Sequence, residues 1–436
     1  MAHISIVGAG YVGLVTAITF TKHKHTVTCI DISKEKVVSI NSKKPPFYEE
    51  NLEKALVAAI ESKRLTATTS FDAIRKTDLT FICVETPSLK DGGQNLSIIG
   101  KATSDVGKSL REKKGYHLVV VKSSVTPTTT KEHLIPILER SSGKTVGKDV
   151  GICVNPEFLR EGSALQDSFN PDRIVIGGFD KKSGNLLKNL YKKFSCPKIV
   201  VDLATAEMIK YASNSFLALK ITYANEIANM CEKFGIDAEK VLDAVALDSR
   251  INPHFLKFGC GFGGSCFPKD LKALIHASEK YGCKSDIFRS VLKLNERQPL
   301  RLVEMLKNEI PNLKNSKVAV LGLSFKGNTN DVRESRAIPI ISALIKEGAH
   351  VIAYDPVAMP NMKKIFKEIK YVDSIDDALD GADACIVQND WEIFEELNSK
   401  NFNKMAKKIV IDGRRVLDRK KIGEDVKYYA IGLPNK

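Results

Sequence analysis

Short apolar runs rich in β-branched residues alternate with helical patterns over residues 1–200 of the chain. These runs predict six strands, at His3–Val7, Thr26–Asp31, Leu79–Val84, Leu118–Lys122, Gly151–Asn155 and Arg173–Gly177. Continuous apolar runs separated by helices are typical of parallel strands that are buried on both faces. We therefore expect this part of the chain to form a doubly wound α/β domain.

The strand pattern stops near residue 204 and returns after residue 310. Ala204–Phe234 predicts one long helix, and shorter helical stretches follow it. Four more strands are then predicted, at Lys317–Leu321, His350–Asp355, Ala384–Gln388 and Lys408–Asp412. The predicted fold is α/β, with two Rossmann-like doubly wound domains over residues 1–200 and 311–436. A long central helix within a helical region, residues 201–310, bridges them.

The composition fits a globular protein, since 43% of the 436 residues are hydrophobic and 27% are charged. No apolar run is long enough to span a membrane, and the chain begins with a strand pattern instead of a signal peptide. The nine cysteines are scattered and form no Cys-x-x-Cys pair. This usage predicts a reducing, cytoplasmic location, without a disulfide framework or a bound metal.

The formal net charge of +14 raises the question of a nucleic-acid partner. The lysines, however, occur as short pairs along the whole chain, such as Lys43-Lys44 and Lys420-Lys421. No basic stripe is interleaved with aromatic residues, so we expect neither a nucleic-acid nor a membrane partner. The positive field would still attract small anionic ligands.

The first predicted strand ends in a glycine-rich turn that leads into a helical pattern. Gly8 permits the tight turn, Gly10 lets a pyrophosphate approach the backbone, and Gly13 lets the helix pack on the strand. Asp31 ends the second strand, where a carboxylate accepts hydrogen bonds from ribose hydroxyls, and Lys36 lies close by in sequence. Strand, turn, helix and acid together predict bound NAD, and the alternative is a purely structural turn.

A second glycine-rich stretch, Gly259–Asp270, contains Cys266 just ahead of a proline. A thiol on a flexible loop near a helix N-terminus is a candidate nucleophile. The alternative is an inert cysteine of the core, which most free cysteines are. The corresponding turn of the second α/β domain, Gly322–Gly327, contains Lys326 and suits a different anion, such as a nucleoside diphosphate.

Lys210 and Asn214 lie one turn apart on the long predicted helix and so share a face. An ammonium and an amide N–H there would stabilise a developing oxyanion, although such a pair is more often a solvated helix face. Glu157 and Glu161 follow a predicted parallel strand, in the position where active-site groups collect in doubly wound sheets.

The chain resembles the UDP-glucose/GDP-mannose dehydrogenase family of nucleotide-sugar dehydrogenases over essentially its whole length. The matching motifs are Gly8–Gly13, Lys122–Val125, Asn155–Gly162, Pro171–Gly177, Lys210 with Asn214, Gly261–Asp270, Phe325-Lys326, Arg333–Ser335 and Asp412–Arg415. The resemblance implies oxidation of a sugar primary alcohol to a carboxylate in two steps, with two NAD and one water. It also implies two Rossmann-like domains and a homodimer formed through the helical region.

The resemblance also assigns roles to individual residues. The implied catalytic residues are the nucleophile Cys266, Asp270, Lys210, Asn214, Glu161, Glu157 and Ser124. The implied NAD contacts are Gly8, Gly10, Tyr11, Val12, Gly13, Asp31, Lys36, Thr86, Pro87, Ser124, Glu161 and Arg333. The implied substrate contacts are Glu157, Phe158, Leu159, Lys210, Asn214, Phe262, Gly263, Gly264, Lys326 and Arg414, together with Arg250 from a neighbouring subunit.

Three departures from the family pattern change none of these groups. Ser124 replaces a frequent threonine and keeps the hydroxyl. Val125–Thr128 differs from the usual loop sequence, and Glu85 stands where glycine is common.

Several alternatives stay open at this stage. UDP-glucose is the expected substrate, and GDP-mannose, UDP-N-acetylmannosamine and UDP-N-acetylglucosamine are the alternatives. A two-electron dehydrogenase of the 6-phosphogluconate type would have a similar layout but no use for Cys266. A non-catalytic NAD-binding protein would bind the cofactor without turnover.

Overall fold

The structure is a computed structural model that describes residues 1–434. The chain divides into two compact units. Unit 1 comprises residues 1–213 and 272–283, and unit 2 comprises residues 214–271 and the chain from residue 284 onward. The last two residues of the predicted domain 311–436 lie outside the described residues.

Unit 1 contains an eight-stranded sheet of order β3-β2-β1-β4-β5-β6-β7-β8. Its strands are β1 (His3–Val7), β2 (Thr26–Ile30), β3 (Leu65–Thr68), β4 (Leu79–Ile82), β5 (His117–Val121), β6 (Val150–Val154), β7 (Ile174–Gly178) and β8 (Lys198–Val201). All neighbours pair in parallel except β6 and β7. Every residue of β5 and β6 is buried, as expected for central strands that are covered on both faces.

Unit 2 contains a six-stranded, fully parallel sheet of order β11-β10-β9-β12-β13-β14. Its strands are β9 (Lys317–Leu321), β10 (His350–Tyr354), β11 (Lys370–Tyr371), β12 (Ala384–Val387), β13 (Ile409–Asp412) and β14 (Lys427–Ala430). In both sheets the order reverses beside the first strand, so the carboxyl ends of the central strands form a crevice there.

The helices connect and cover these strands. They are α1 (Tyr11–Lys22), α2 (Lys34–Asn41), α3 (Leu52–Glu61), α4 (Ser97–Leu110), α5 (Ile135–Ser142), α6 (Ala164–Phe169), α7 (Lys181–Leu190), α8 (Leu203–Phe234), α9 (Ala238–Ala246), α10 (Phe267–Glu279), α11 (Asp286–Arg297), α12 (Leu300–Glu309), α13 (Ala337–Lys346), α14 (Met359–Met362), α15 (Ile375–Leu379), α16 (Glu392–Glu395), α17 (Ser399–Phe402) and α18 (Arg419–Ile422). A 3₁₀ helix covers Phe71–Lys76, and a π-helical turn covers Thr130–Leu134. Two of the three boundaries between the units fall inside helices, within α8 and α10.

The predicted α/β class and the long central helix are confirmed, and α8 has 32 residues. All ten predicted strands exist, with ends that shift by no more than two residues. The prediction omitted four strands, β3, β8, β11 and β14, and all four lie at sheet edges. Edge strands are short and partly exposed, so they lack the continuous apolar run by which the others were recognised.

The prediction of uniformly parallel strands is wrong at one place. β7 runs antiparallel to β6, with Cys153 opposite Gly178 and Val154 opposite Gly177. A buried strand has the same apolar run in either direction, so composition does not reveal its orientation.

No helix among residues 1–434 is both long enough and apolar enough to cross a lipid bilayer.

Leucines 186 and 187 on α7 provide a matched test of the unit 1 core. Leu187 is fully buried, whereas 43% of Leu186 is exposed. We expect Leu187→Ala to lower the free energy of unfolding by about 2–5 kcal/mol, because it leaves a cavity. Leu186→Ala should change it by less than about 0.5 kcal/mol. Both variants change helix propensity equally, so denaturant titration followed by circular dichroism isolates the packing effect. Equal losses for the two variants would contradict the assigned burial.

Candidate active site

The glycines of the first turn have different tasks in the structure. Gly8 has a φ of +96°, and a Cβ there would lie 2.6 Å from the carbonyl oxygen of Cys83. A Cβ at Gly13 would lie 1.8 Å from the carbonyl oxygen of Gly8, so both positions require glycine for the fold itself. A Cβ at Gly10 would meet nothing within 4 Å. The open space at Gly10 therefore fits a pyrophosphate placed against the backbone.

Tyr11 and Val12 are the first two residues of α1, and the N–H groups of a first helical turn have no partner within the helix. Asp31 is buried at the end of β2 and is fixed on both carboxylate oxygens. Oδ2 accepts from the Ala9 N–H at 2.8 Å, and Oδ1 accepts from the Ser33 N–H at 2.9 Å. The Lys36 ammonium lies 3.8 Å from Oδ2. The turn and its acid thus form one preorganised group.

The loops after β4 and β5 meet at Ser124. Its carbonyl oxygen accepts from the Thr86 hydroxyl at 2.9 Å and from the Gln94 amide at 2.6 Å. The Pro87 carbonyl oxygen accepts from the Asn95 N–H at 2.8 Å, which closes the first of these loops. The predicted cofactor residues Thr86, Pro87 and Ser124 are therefore held together within unit 1.

Lys210 and Glu157 form a buried ion pair. The Lys210 ammonium donates to Glu157 Oε1 at 2.8 Å and to the Glu157 carbonyl oxygen at 2.7 Å, and only 3% of Lys210 is exposed. Burial favours a higher pKa for the Glu157 carboxyl, but the Lys210 charge and the Leu159 N–H outweigh it, so the net pKa is below its usual value. The lowered pKa favours the carboxylate form of Glu157, and the hydrogen bonds from the Lys210 ammonium fix both side chains.

The loop Asn155–Gly162 continues from this ion pair. The guanidinium carbon of Arg173 lies 3.8 Å from the centroid of the Phe158 ring, and the Lys210 ammonium lies 5.4 Å from it. The Leu159 N–H donates to Glu157 Oε2 at 2.6 Å. Glu161 is half-buried in the same loop. The structure thus brings Glu157, Phe158, Leu159 and Lys210 together.

In unit 2, Cys266 directly precedes α10. The Asp270 N–H donates to the Cys266 carbonyl oxygen at 2.8 Å, so the expected helical turn between these residues exists. Only 2% of Asp270 is exposed, and its carboxylate accepts from the Asn214 amide at 2.7 Å and the Lys269 ammonium at 2.5 Å. Asn214 and Asp270 are therefore in direct contact.

The two cysteines of the glycine-rich stretch differ in their surroundings. Cys266 is half-buried, and its sulfur lies 3.6 Å from the Ser265 hydroxyl. Cys260 is fully buried, with its sulfur 3.4 Å from the carbonyl oxygens of Gln388 and Gly413. Burial raises the pKa of the Cys260 thiol to about 11, so Cys260 is a poor nucleophile near neutral pH.

The backbone of the stretch is held by other parts of unit 2. The Phe262 N–H donates to Asn295 Oδ1 at 2.7 Å, and the Gly264 N–H donates to the Arg333 carbonyl oxygen at 2.9 Å. A Cβ at Gly263 would lie 2.2 Å from the Glu334 carbonyl oxygen, so this close approach requires glycine. The Arg414 guanidinium donates to the Gly261 carbonyl oxygen at 3.1 Å.

Three cationic residues of the predicted site are more exposed than Lys210. Lys326 is half-buried, with its ammonium 5.9 Å from the Phe325 ring centroid. Arg333 is exposed and pairs with Asp331 at 2.7 Å. Arg250 is the most exposed of the three, with 87% of its side chain exposed, and it pairs with Asp248 at 2.6 Å.

Three family models match consecutive parts of the chain. The NAD binding domain of the UDP-glucose/GDP-mannose dehydrogenase family matches residues 2–195, the central domain matches residues 204–297, and the UDP binding domain matches residues 319–419. The chain belongs to the UDP-glucose/GDP-mannose dehydrogenase family. It is an NAD-dependent nucleotide-sugar dehydrogenase, and the open cradle at Gly10 belongs to its NAD binding domain.

Relatives of this dehydrogenase match over their full length. The UDP-glucose 6-dehydrogenase AglM of Haloferax volcanii is 43% identical, and the match covers 96% of this chain and 97% of that protein. TuaD, a UDP-glucose 6-dehydrogenase of Bacillus subtilis, is 39% identical over 100% of this chain and 94% of its own. A solved UDP-glucose dehydrogenase from Pyrobaculum islandicum superposes with a TM-score of 0.94 at 40% identity, covering 99% of this chain and 98% of that one.

Sequence reasoning missed several side chains that hold the loops of this dehydrogenase. Glu49 accepts from Gly162 and Ala164, Glu207 from Thr128 and Thr130, and Asn295 from Phe262. All three side chains are buried. They stand in ordinary polar surroundings along the sequence, so no local motif separates them from surface residues.

Gly10 and Gly13 provide a test of the NAD cradle. Gly10 has extended backbone angles, φ −77° and ψ −164°, so alanine fits its conformation. We expect Gly10→Ala to fold like the wild type but to weaken NAD binding about tenfold, because the methyl group occupies the pyrophosphate space. Gly13→Ala should instead lower the melting temperature. Calorimetric NAD titration and thermal melting measure both effects, and unchanged NAD affinity in Gly10→Ala would contradict the placement.

Proposed function

We propose that this dehydrogenase oxidises UDP-glucose to UDP-glucuronate. The observation behind the proposal is the 43% and 39% full-length identity to named UDP-glucose 6-dehydrogenases. A UDP-N-acetylmannosamine dehydrogenase structure from Pyrococcus horikoshii shares only 28% identity, with a TM-score of 0.87. Dehydrogenation of another nucleotide sugar is therefore the second candidate. The scattered cysteines support a cytoplasmic location.

The proposed reaction converts the C6 primary alcohol to a carboxylate through Cys266. NAD, when bound, accepts one hydride in each of the two oxidations. After the first oxidation the Cys266 thiolate adds to the aldehyde carbon and forms a thiohemiacetal. The second oxidation leaves a thioester, which one water cleaves. The sum is one alcohol, two NAD⁺ and one water giving one carboxylate, two NADH and three protons.

Lys210 and Asn214 are proposed to stabilise negative charge on the substrate oxygen. The Lys210 ammonium is buried and already paired with Glu157, so it needs little reorganisation when charge develops. Asp270 is proposed as the base that accepts the alcohol proton and orients water, and its contact with the Asn214 amide fixes its position.

Glu161 is proposed to activate the hydrolytic water, with the Ser124 hydroxyl as its second contact. For the nucleotide sugar we propose contacts from Phe158, Leu159 and the backbone of residues 262–264. Lys326 and Arg414 are proposed to bind its anionic part, and Arg333 the cofactor.

We also propose that the protein acts as a homodimer through α8. Phe216, Tyr223 and Met230 are exposed by 59%, 48% and 46%. Their spacing of seven residues places them on one face of the helix, the pattern of a helix–helix interface. The exposed Arg250 is then available to a neighbouring subunit.

NADH counting tests the reaction. We expect two NADH per UDP-glucose consumed, and no comparable turnover of GDP-mannose or the N-acetylated UDP-sugars. Cys266→Ala should reduce turnover by at least about 10³-fold, because it removes the nucleophile. The exposed Cys283 provides the matched control, and Cys283→Ala should retain full activity. One NADH per sugar would exclude the thioester route. Faster turnover of another nucleotide sugar would identify that sugar, and not UDP-glucose, as the substrate.

Light scattering tests the assembly. Tyr223→Asp places a charge within the exposed stripe of α8 and should convert a dimer into a monomer. Ile365→Asp is the matched control, since Ile365 is 45% exposed and lies in the turn after α14, outside α8. The same mass for wild type and Tyr223→Asp would contradict the assigned interface.

A further inference from the structure

Glu49 is a buried carboxylate that no predicted motif contains. It lies between α2 and α3, and only 5% of it is exposed. Its Oε2 accepts from the Gly162 N–H at 2.7 Å and from the Tyr11 hydroxyl, and its Oε1 accepts from the Ala164 N–H at 2.7 Å. Both oxygens are therefore occupied by donors from two separate parts of unit 1.

One of these parts is the start of α1. Tyr11 follows Gly10 of the NAD cradle, and its ring packs on Phe47 with centroids 4.9 Å apart. Burial, together with the Glu49 carboxylate, raises the pKa of the Tyr11 phenol, so the hydroxyl stays protonated. Its oxygen also accepts from the Gly162 N–H at 2.7 Å. Tyr11, Glu49 and Gly162 thus form a closed triangle of hydrogen bonds.

The other part is the loop that contains Glu161. On one side of Glu161, the Arg160 N–H and guanidinium donate to Asp167 at 2.9 and 2.6 Å. On the other side, Gly162 and Ala164 are held by Glu49. The backbone of Glu161 is thereby fixed from both directions.

We propose that Glu49 is a positioning residue for thioester hydrolysis, holding Glu161 in place and linking it to the helix start that binds NAD. This inference rests on the proposed role of Glu161. In the hydrolysis, the water oxygen bonds to the thioester carbon and the carbon–sulfur bond breaks. Glu161 takes one water proton, and the sulfur leaves as the Cys266 thiolate.

The substitution Glu49→Gln tests the link, because the amide replaces one acceptor oxygen with a donor. An N–H group would then face the N–H of Gly162 or Ala164, so the anchor on one side is lost. The adjacent Glu50 is exposed, and Glu50→Gln makes the same chemical change beside it. This matched control should behave like the wild type.

We expect Glu49→Gln to lower kcat by about 10²-fold, the usual cost of displacing a reacting group by about 1 Å. KM for UDP-glucose should change little. Acid quenching and mass spectrometry should reveal a covalent sugar adduct on Cys266 that accumulates in Glu49→Gln and not in Glu50→Gln. If Glu49→Gln turned over as fast as Glu50→Gln and accumulated no adduct, the proposal would be overturned.

Two further measurements separate positioning from general stability. In the free protein, amide hydrogen exchange over residues 160–166 should be faster in Glu49→Gln than in Glu50→Gln. In addition, the double variant Glu49→Gln/Glu161→Gln should turn over as fast as the single variant Glu161→Gln, because Glu49 acts through Glu161. An additive loss in the double variant would overturn the proposal.

If Glu49→Gln does not fold, Glu49→Asp tests the proposal instead. Aspartate keeps both carboxylate oxygens, but its shorter side chain moves them one methylene away from the N–H groups of Gly162 and Ala164. Glu49→Asp should accumulate a smaller fraction of the adduct, and turnover equal to the wild type would overturn the proposal. Failure of the proposed function has a different signature, because the wild type itself would then not yield two NADH per UDP-glucose.

Discussion

Buried backbone N–H groups at the ends of parallel strands are the constraint on which the rest of this structure depends. The loops there are irregular, so their N–H groups have no regular partner, and leaving one unsatisfied costs about 1–3 kcal/mol. The chain meets this need with carboxylates from elsewhere in the same unit. Asp31 accepts from Ala9 in unit 1, and Asp355 accepts from Leu323 at 2.7 Å in unit 2. The two first turns are thus stabilised in the same way, although only one has the dinucleotide fingerprint.

The same constraint preorganises the chemistry. A carboxylate that accepts two or three fixed donors cannot rotate away, so the groups bonded to it stay in place before substrate arrives. Glu157 holds Lys210 in this manner, and Glu49 holds the backbone next to Glu161. Cys266 is half-buried, in contrast to the fully buried Cys260. An accessible thiol is what the proposed covalent catalysis requires.

Much of this arrangement could be predicted from the chain because its strongest signals are local. The buried strands and α8 have long apolar patterns, and the turn at Gly8–Gly13 has a short fingerprint. Strands β3 and β14 were missed because edge strands are short and partly exposed. Glu49 was missed for another reason: its partners Gly162 and Ala164 are more than 110 residues away, and only the folded sheet brings them together.

The path of the chain between the units limits how this protein can be taken apart. Residues 272–283 belong to unit 1 although the segments on either side of them belong to unit 2. A cut after residue 213 would therefore remove the end of α10 from the unit into which it packs. Neither unit is a contiguous cassette that recombination can exchange. A chimera that changes specificity must replace loops within a unit, or else carry both of its segments across together.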